Sequence, residues 1–185
     1  MDNKKTKRLF LAITPNKEIL EQLVKVKDKV LDENLNWVKK ENLHITLVFL
    51  GNVEENLIPD LIGKLNFVIE KTNKFILKFE KISFAPENNP YMMWAEFEND
   101  PNFSKLSDLC QKICSEFSSN KNYTNPKETI PHITLARSKK ELDNKNLEIK
   151  QLKIHNILVD YCKLMESELS KDGSNYSTIA TFTLR

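Results

Sequence analysis

His44-Ile45-Thr46-Leu47 recurs, residue for residue, as His132-Ile133-Thr134-Leu135, 88 positions further along a chain of 185 residues. The chain has three histidines, and two of them head these tetrapeptides. At ordinary residue frequencies, a chance second copy in so histidine-poor a chain is a roughly one-in-a-thousand event. The repeat therefore needs a physical reason.

Both copies carry β-branched and apolar residues and run on into Val48-Phe49-Leu50 or Ala136-Arg137, so each is read as a strand. Side chains alternate across a strand. His44 and Thr46 then share one face, with Ile45 and Leu47 on the other, and the same holds for His132 and Thr134 against Ile133 and Leu135. Each copy offers an imidazole beside a hydroxyl, backed by two aliphatic side chains fit for burial. If the two strands lie beside or facing each other, the four polar groups converge on one small volume.

Such a set suits general acid and base catalysis at a phosphorus centre. Near neutral pH one imidazole can start neutral, as base, while its partner starts protonated, as acid. Threonine hydroxyls at positions 46 and 134 can donate to the non-bridging oxygens of a phosphate, and Arg137 can add a fixed charge and a bidentate fork. Strict alternation, however, puts Arg137 on the face opposite His132, so it reaches the site only where the strand ends or twists. Which histidine takes which role is open at this level.

Outward from the repeat, Arg8 to Ile13 forms a short apolar run expected to be a buried strand. Thr14-Pro15 then resembles a helix start, followed by apolar residues at helical spacing from Ile19 to Leu31. A second helix is marked by Leu57, Ile58, Leu61, Ile62, Leu65, Val68 and Ile69. Short strands are expected at 75–79, 82–85 and 91–97, with a loop at 86–90. Asp100-Pro101 caps a third helix, whose apolar stripe runs from Phe103 to Phe117. The remainder reads as a segment at 147–152, a long stretch at 154–169, a Gly173 turn and a last strand from Ser177 to Leu184.

No break in composition marks a linker, so residues 1–185 are read as one domain, and the repeat suggests a duplication. Each half is then a mostly antiparallel sheet covered by helices, an α+β architecture with the repeated histidines meeting in a cleft between lobes. The net charge of +2 permits a nucleic-acid partner without arguing for one. The charged N-terminus and the brief apolar run behind it are too short for a signal peptide, and no run nears the ~20 apolar residues of a membrane span. A cytosolic protein that engages no membrane is expected, with a monomer as the default. Cys110, Cys114 and Cys162, odd in number and without a Cys-x-x-Cys, are read as reduced core residues.

The sequence resembles the two-histidine (2H) phosphoesterases, and within them the bacterial and archaeal RNA 2′,3′-cyclic phosphodiesterases first described as 2′-5′ RNA ligases (LigT-like). The resemblance rests on Arg8 to Ile13, on Asn42 to Gly51 around the first motif, on Pro131 to Arg137 around the second, and on Ser167, Leu169, Gly173, Tyr176 and Leu184 near the end. It implies a bilobal fold with the motifs facing across a central groove. It also implies opening of RNA 2′,3′-cyclic phosphates to 2′-phosphates without metal or nucleotide cofactor. By the same resemblance His132 activates the attacking water, His44 protonates the leaving 3′-oxygen, and Thr46, Thr134 and Arg137 hold the phosphate. The substrates implied are RNA 3′ ends or small cyclic nucleotides.

Competing readings are weighed against this one. A zinc site built on His44, His132 and a third ligand lacks a close-spaced ligand pair. With only Gly51, Gly63 and Gly173, the chain has no glycine-rich phosphate loop, which disfavours a triphosphate-driven ligase, so any ligation is the reverse of the esterase reaction. His155 is read as structural or exposed, and the aromatic residues Trp37, Tyr91, Trp94 and Tyr123 are assigned no role. Phosphodiesterase action on 2′-5′ oligoadenylate or on a small cyclic-phosphate nucleotide keeps the chemistry and changes the substrate. An inactive RNA-end-binding protein is the non-enzymatic alternative, and the two intact motifs count against it.

Overall fold

A computed structural model describes residues 5–30, 34–118, 130–142, 154–170 and 173–185. Ten strands are described: β1 (Thr6–Ile13), β2 (Leu35–Trp37), β3 (Ile45–Glu54), β4 (Phe75–Leu77), β5 (Phe79–Ala85), β6 (Met92–Phe97), β7 (His132–Ser138), β8 (Ile157–Val159), β9 (Tyr161–Ser170) and β10 (Gly173–Thr183). The helices are α1 (Lys17–Val24), α2 (Ile58–Ile69) and α3 (Pro101–Phe117).

The two copies of the repeat are β3 and the residues that lead into it, and β7. They are neighbours in an antiparallel sheet of order β10-β9-β1-β3-β7-β6-β5, with β2 also paired to β7. The join is narrow: Ile45 opposite Ile133 is the single described register pair between β3 and β7. On one side of it, β10, β9, β1 and β3 form a four-stranded antiparallel sheet; on the other, β5, β6, β7 and β2 form a second. The α+β fold expected from the sequence, two antiparallel sheets flanked by helices, is what the chain adopts. A separate two-stranded ribbon, β4 with β8, adds to it.

Where β3 leaves β7, its backbone would lose partners, and unpaired buried carbonyls are costly. Helix α3 supplies replacements. The Ser107 hydroxyl donates to the Leu47 carbonyl at 2.9 Å, and the Ser118 hydroxyl at the C-terminus of α3 donates to the Leu50 carbonyl at 2.7 Å. Helix α3 thus satisfies the edge along which the two sheets part. Its own start is the one expected, with the Asp100 carboxylate accepting from the Asn102 and Phe103 amides.

Helix α1 corrects the reading of Thr14-Pro15 as its start. Asn16 is the cap, accepting from the Ile19 amide at 3.0 Å, so the helix opens two residues later. Nor does it run on to Leu31: it ends at Val24, and a short 3₁₀ turn at Lys27–Lys29 places Val26 and Val30 in the core instead. The expected strand at 75–79 is broken at Lys78 between β4 and β5. Segments 123–129 and 147–152 lie outside the described residues.

One connected hydrophobic core runs through both sheets and all three helices, from Leu11 and Ile13 through Leu61, Leu65 and Phe103 to Ile133 and Phe182. Cys110, Cys114 and Cys162 are free and buried, and burial pushes the thiols of Cys114 and Cys162 up to about 12. Among the described residues no helix is long and apolar enough to cross a membrane.

Candidate active site

The antiparallel register set by Ile45 and Ile133 makes the two tetrapeptides reciprocal. One residue to either side, His44 stands opposite Thr134 and Thr46 opposite His132. The histidines then lie diagonally across the bridge, near enough for charge on His132 to disfavour charge on His44. His44, Thr46, His132, Thr134 and Arg137 all line one groove of about 900 Å³. The structure therefore brings together all five residues singled out in the sequence.

Both rings are anchored alike. Nδ1 of His44 lies 2.6 Å from the Asn42 carbonyl, and Nδ1 of His132 lies 2.9 Å from the Ile130 carbonyl, each bonding two residues back. A carbonyl oxygen only accepts, so Nδ1 carries a hydrogen in either charge state and Nε2 is the nitrogen that gains or loses a proton. The residue between must be extended. Leu43 has φ −71° and ψ 120°, close to the φ that a proline ring fixes, and the second copy has Pro131 in that place. Asn42 is itself tied down, its side-chain amide donating to the Ser174 carbonyl of β10 at 2.8 Å.

The difficulty over Arg137 is resolved by a β-bulge. Trp94 pairs with Thr134 but Met93 pairs with Ala136, so Leu135 is an extra residue in β7. Leu135 and Ala136 are consecutive buried residues, and beyond them the alternation is inverted. Arg137 therefore joins the face of His132 and Thr134, where its guanidinium approaches the Met92 sulfur at 3.1 Å. The first copy repeats this. Ala12 pairs with Thr46 and Leu11 with Val48, leaving Leu47 as the extra residue. Phe49 is thereby turned to the groove at the position that Arg137 holds in the second copy. The groove is accordingly lined by Arg137 from the second copy and by Phe49 from the first, with Arg8 of β1 a second cation in its wall.

Burial lowers the pKa of both histidines from the usual value, and the backbone bond to Nδ1 opposes this in each. The neighbours then differ. His132 and Arg137 further disfavour charge on His44, whereas Glu96 favours it on His132 and Arg137 opposes. The ring contacts differ too. Trp94 lies flat on His132, centroids 3.8 Å apart and planes 19° from parallel. His44 meets Phe10 at 4.9 Å and 41°, and Tyr176 edge-on at 5.4 Å and 88°. The Trp94 indole nitrogen is buried with no partner among the described residues.

Sequence reasoning left Trp94 without a role and passed over Phe10, Phe49, Glu96 and Asn42 as individuals. One signal was available. In both copies two apolar residues follow the threonine, Leu47-Val48 and Leu135-Ala136, and this break in alternation marks a bulge. Among the described residues, no group of three or more His, Cys, Asp or Glu side chains is placed to hold a metal ion.

Residues 13–94 match the family model described as LigT like Phosphoesterase. The chain is 28% identical over 178 residues to the RNA 2′,3′-cyclic phosphodiesterase of Methanocaldococcus jannaschii, an alignment covering 93% of this chain and 98% of the other. It is 27% identical over 177 residues to that of Thermotoga maritima, covering 93% and 92%. In structure it is similar to Escherichia coli LigT in its apo form, with TM-score 0.78, 22% identity, and 97% and 98% of the two chains covered. It is likewise similar to the TT0787 protein of Thermus thermophilus, with TM-score 0.78, 26% identity, and 96% and 98% covered.

Proposed function

This chain belongs to the LigT-like phosphoesterase family and is thus a hydrolase of phosphodiester bonds, and we propose that the bond it opens is the terminal 2′,3′-cyclic phosphate of an RNA, leaving a 2′-phosphate. The observation that carries this reading is the reciprocal pair of anchored histidines. Each presents Nε2 as its titrating atom, and each stands opposite the other copy's threonine. An in-line displacement needs a proton acceptor and a proton donor on opposite sides of one phosphorus, and two diagonal imidazoles supply them.

In this scheme His132 Nε2 takes a proton from water as the water oxygen bonds to phosphorus. The bond from phosphorus to O3′ breaks, and His44 Nε2 gives its proton to that oxygen. A 3′-hydroxyl and a 2′-phosphate monoester result, and the pair is reset by moving one proton from His132 to His44 through solvent. The Thr46 and Thr134 hydroxyls and the Arg137 guanidinium stabilise the charge that grows on the non-bridging oxygens. With the 5′-hydroxyl of a second strand in place of water, the same scheme forms a bond from that oxygen to phosphorus as the bond to O3′ breaks, leaving a 2′-5′ diester and a 3′-hydroxyl, so ligation needs no nucleotide cofactor.

The test is hydrolysis of a short RNA ending in a 2′,3′-cyclic phosphate, with EDTA present, by the unaltered chain, His44→Ala and His132→Ala. The expected result is a 2′-phosphate product and a loss of about 10²-fold or more in each variant. Activity that disappears with EDTA and returns with zinc would overturn the metal-free scheme. Turnover of 2′-5′ oligoadenylate in preference to the cyclic phosphate would move the substrate, and binding of RNA ends without turnover of any of these would remove the catalytic reading.

A further inference from the structure

Trp94 and Glu96 stand two residues apart on β6, on the face it shares with the second motif, and neither belongs to the repeat. The register pairs Trp94 with Thr134 and Glu96 with His132. The indole covers the imidazole at 3.8 Å. Glu96 has a side chain only 12% exposed, with one carboxylate oxygen 3.4 Å from Lys81 Nζ and the other accepting from the Ser83 hydroxyl of β5. We propose that Trp94 and Glu96 are positioning residues for His132: the indole fixes the plane of the imidazole, and ring face and carboxylate together stabilise the positive charge that His132 acquires with a proton. The inference rests on the reading of His132 as the group that takes the proton of water.

Three observations converge on it. First, the ring chosen is tryptophan, although its N–H has no partner among the described residues. A phenylalanine would fill the stack without an orphaned donor. What the indole adds is the aromatic face that attracts a cation most strongly. Second, two partners on β5 hold the Glu96 side chain in place, so it is a fixed group and not a mobile surface one. Third, the pseudo-equivalent positions around His44 carry neither feature. Ala12 takes the place of Trp94, opposite Thr46, and Phe10 and Tyr176 meet the His44 ring tilted and edge-on. Two identical tetrapeptides are thus made inequivalent by the strands beside them. A base that must become an imidazolium gains from such neighbours as it does from the buried carboxylate of a catalytic triad.

The ionisable groups bearing on His132 are Glu96 from β6, Arg137 from its own strand and His44 across the bridge, with Lys81 of β5 behind Glu96. Because the chain has three histidines, their imidazole signals are separable by NMR and assignable with His44→Ala and His155→Ala. The experiment titrates the unaltered chain, Glu96→Gln, Trp94→Leu and Trp94→Phe, and measures kcat and KM on the cyclic-phosphate RNA. In Glu96→Gln and Trp94→Leu the His132 midpoint should fall by about one half to one pH unit while those of His44 and His155 stay in place. kcat should fall about tenfold with KM little changed, and Trp94→Phe should recover much of the loss.

An unmoved His132 midpoint in Glu96→Gln, or an equal movement of His44, would overturn the proposal, as would a loss confined to KM. Glu96→Gln preserves size, so it decides the matter if Trp94→Leu does not fold. If the unaltered chain fails to turn over the cyclic phosphate, the substrate reading fails while the titration still reports whether these two residues act on His132.

Discussion

Ile45 lies opposite Ile133 at the bridge between the two sheets, and neither side chain has any exposed surface. This pair sets the register that makes the motifs reciprocal, so it links packing to chemistry. Ile133→Val removes one methylene and should cost about 1 kcal/mol, whereas Ile133→Ala should cost about 2–5 kcal/mol by urea unfolding. Ile69→Ala, at an equally buried position in α2, should destabilise to a similar extent. The two alanine variants should part in kcat, with a marked loss for Ile133→Ala and little for Ile69→Ala while each is folded. Equal effects on kcat would show that the bridge does no more than fill the core.

Arg137 reaches the groove through the bulge at Leu135 and not through strand alternation. Replacing it with alanine should raise KM and lower kcat/KM by about 10²-fold, because a fixed cation beside the phosphate is lost. Arg137→Lys keeps the charge but not the planar fork and should recover only part of this. Deleting Leu135 restores simple alternation and should turn the guanidinium to the other face. A deletion variant that folds, as judged by circular dichroism, should be as impaired as Arg137→Ala; if it retained full activity, the bulge would not be what delivers Arg137.

Much of this was legible beforehand because the information is local. The alternation in His44-Ile45-Thr46-Leu47 states which side chains are buried, and the Asp100-Pro101 start of α3 is written in two residues. Other features are relations between distant residues. Nothing near Trp94 says that it will pair with Thr134 and stack on His132, since that depends on which strand adds to β7. The cap of α1 was misplaced by two residues because Thr14-Pro15 and Asn16 offer rival starts. Asn16 prevails because its side chain reaches the Ile19 amide.

The pH dependence follows from the direction in which both imidazoles are moved. Burial lowers each from the ordinary value near 6.5, so the free enzyme gives up the last proton shared by the pair below that value. The scheme needs one proton on the pair. kcat/KM should therefore be maximal on the acid side of about 6.5 and decline as pH rises past it. A bound phosphate is an anion and favours charge on both rings, so the maximum of kcat should lie at higher pH than that of kcat/KM. Profiles measured at constant ionic strength check both statements. A kcat/KM that stays level from pH 6 to 8 would contradict the first.

Phe49 is 53% exposed although it lies within a strand whose neighbours Val48 and Leu50 are buried. It lines the groove 6.2 Å from Phe10. An exposed aromatic face beside a phosphate site suits a nucleobase, and base stacking is worth about 1–3 kcal/mol. Phe49→Ala should accordingly raise KM for a nucleoside 2′,3′-cyclic phosphate by about 5-fold to 100-fold. A ribose 2,3-cyclic phosphate has no base, so on that substrate the same variant should match the unaltered chain. An equal loss on both substrates would mean that Phe49 supports the shape of β3, and that the base is held elsewhere in the groove.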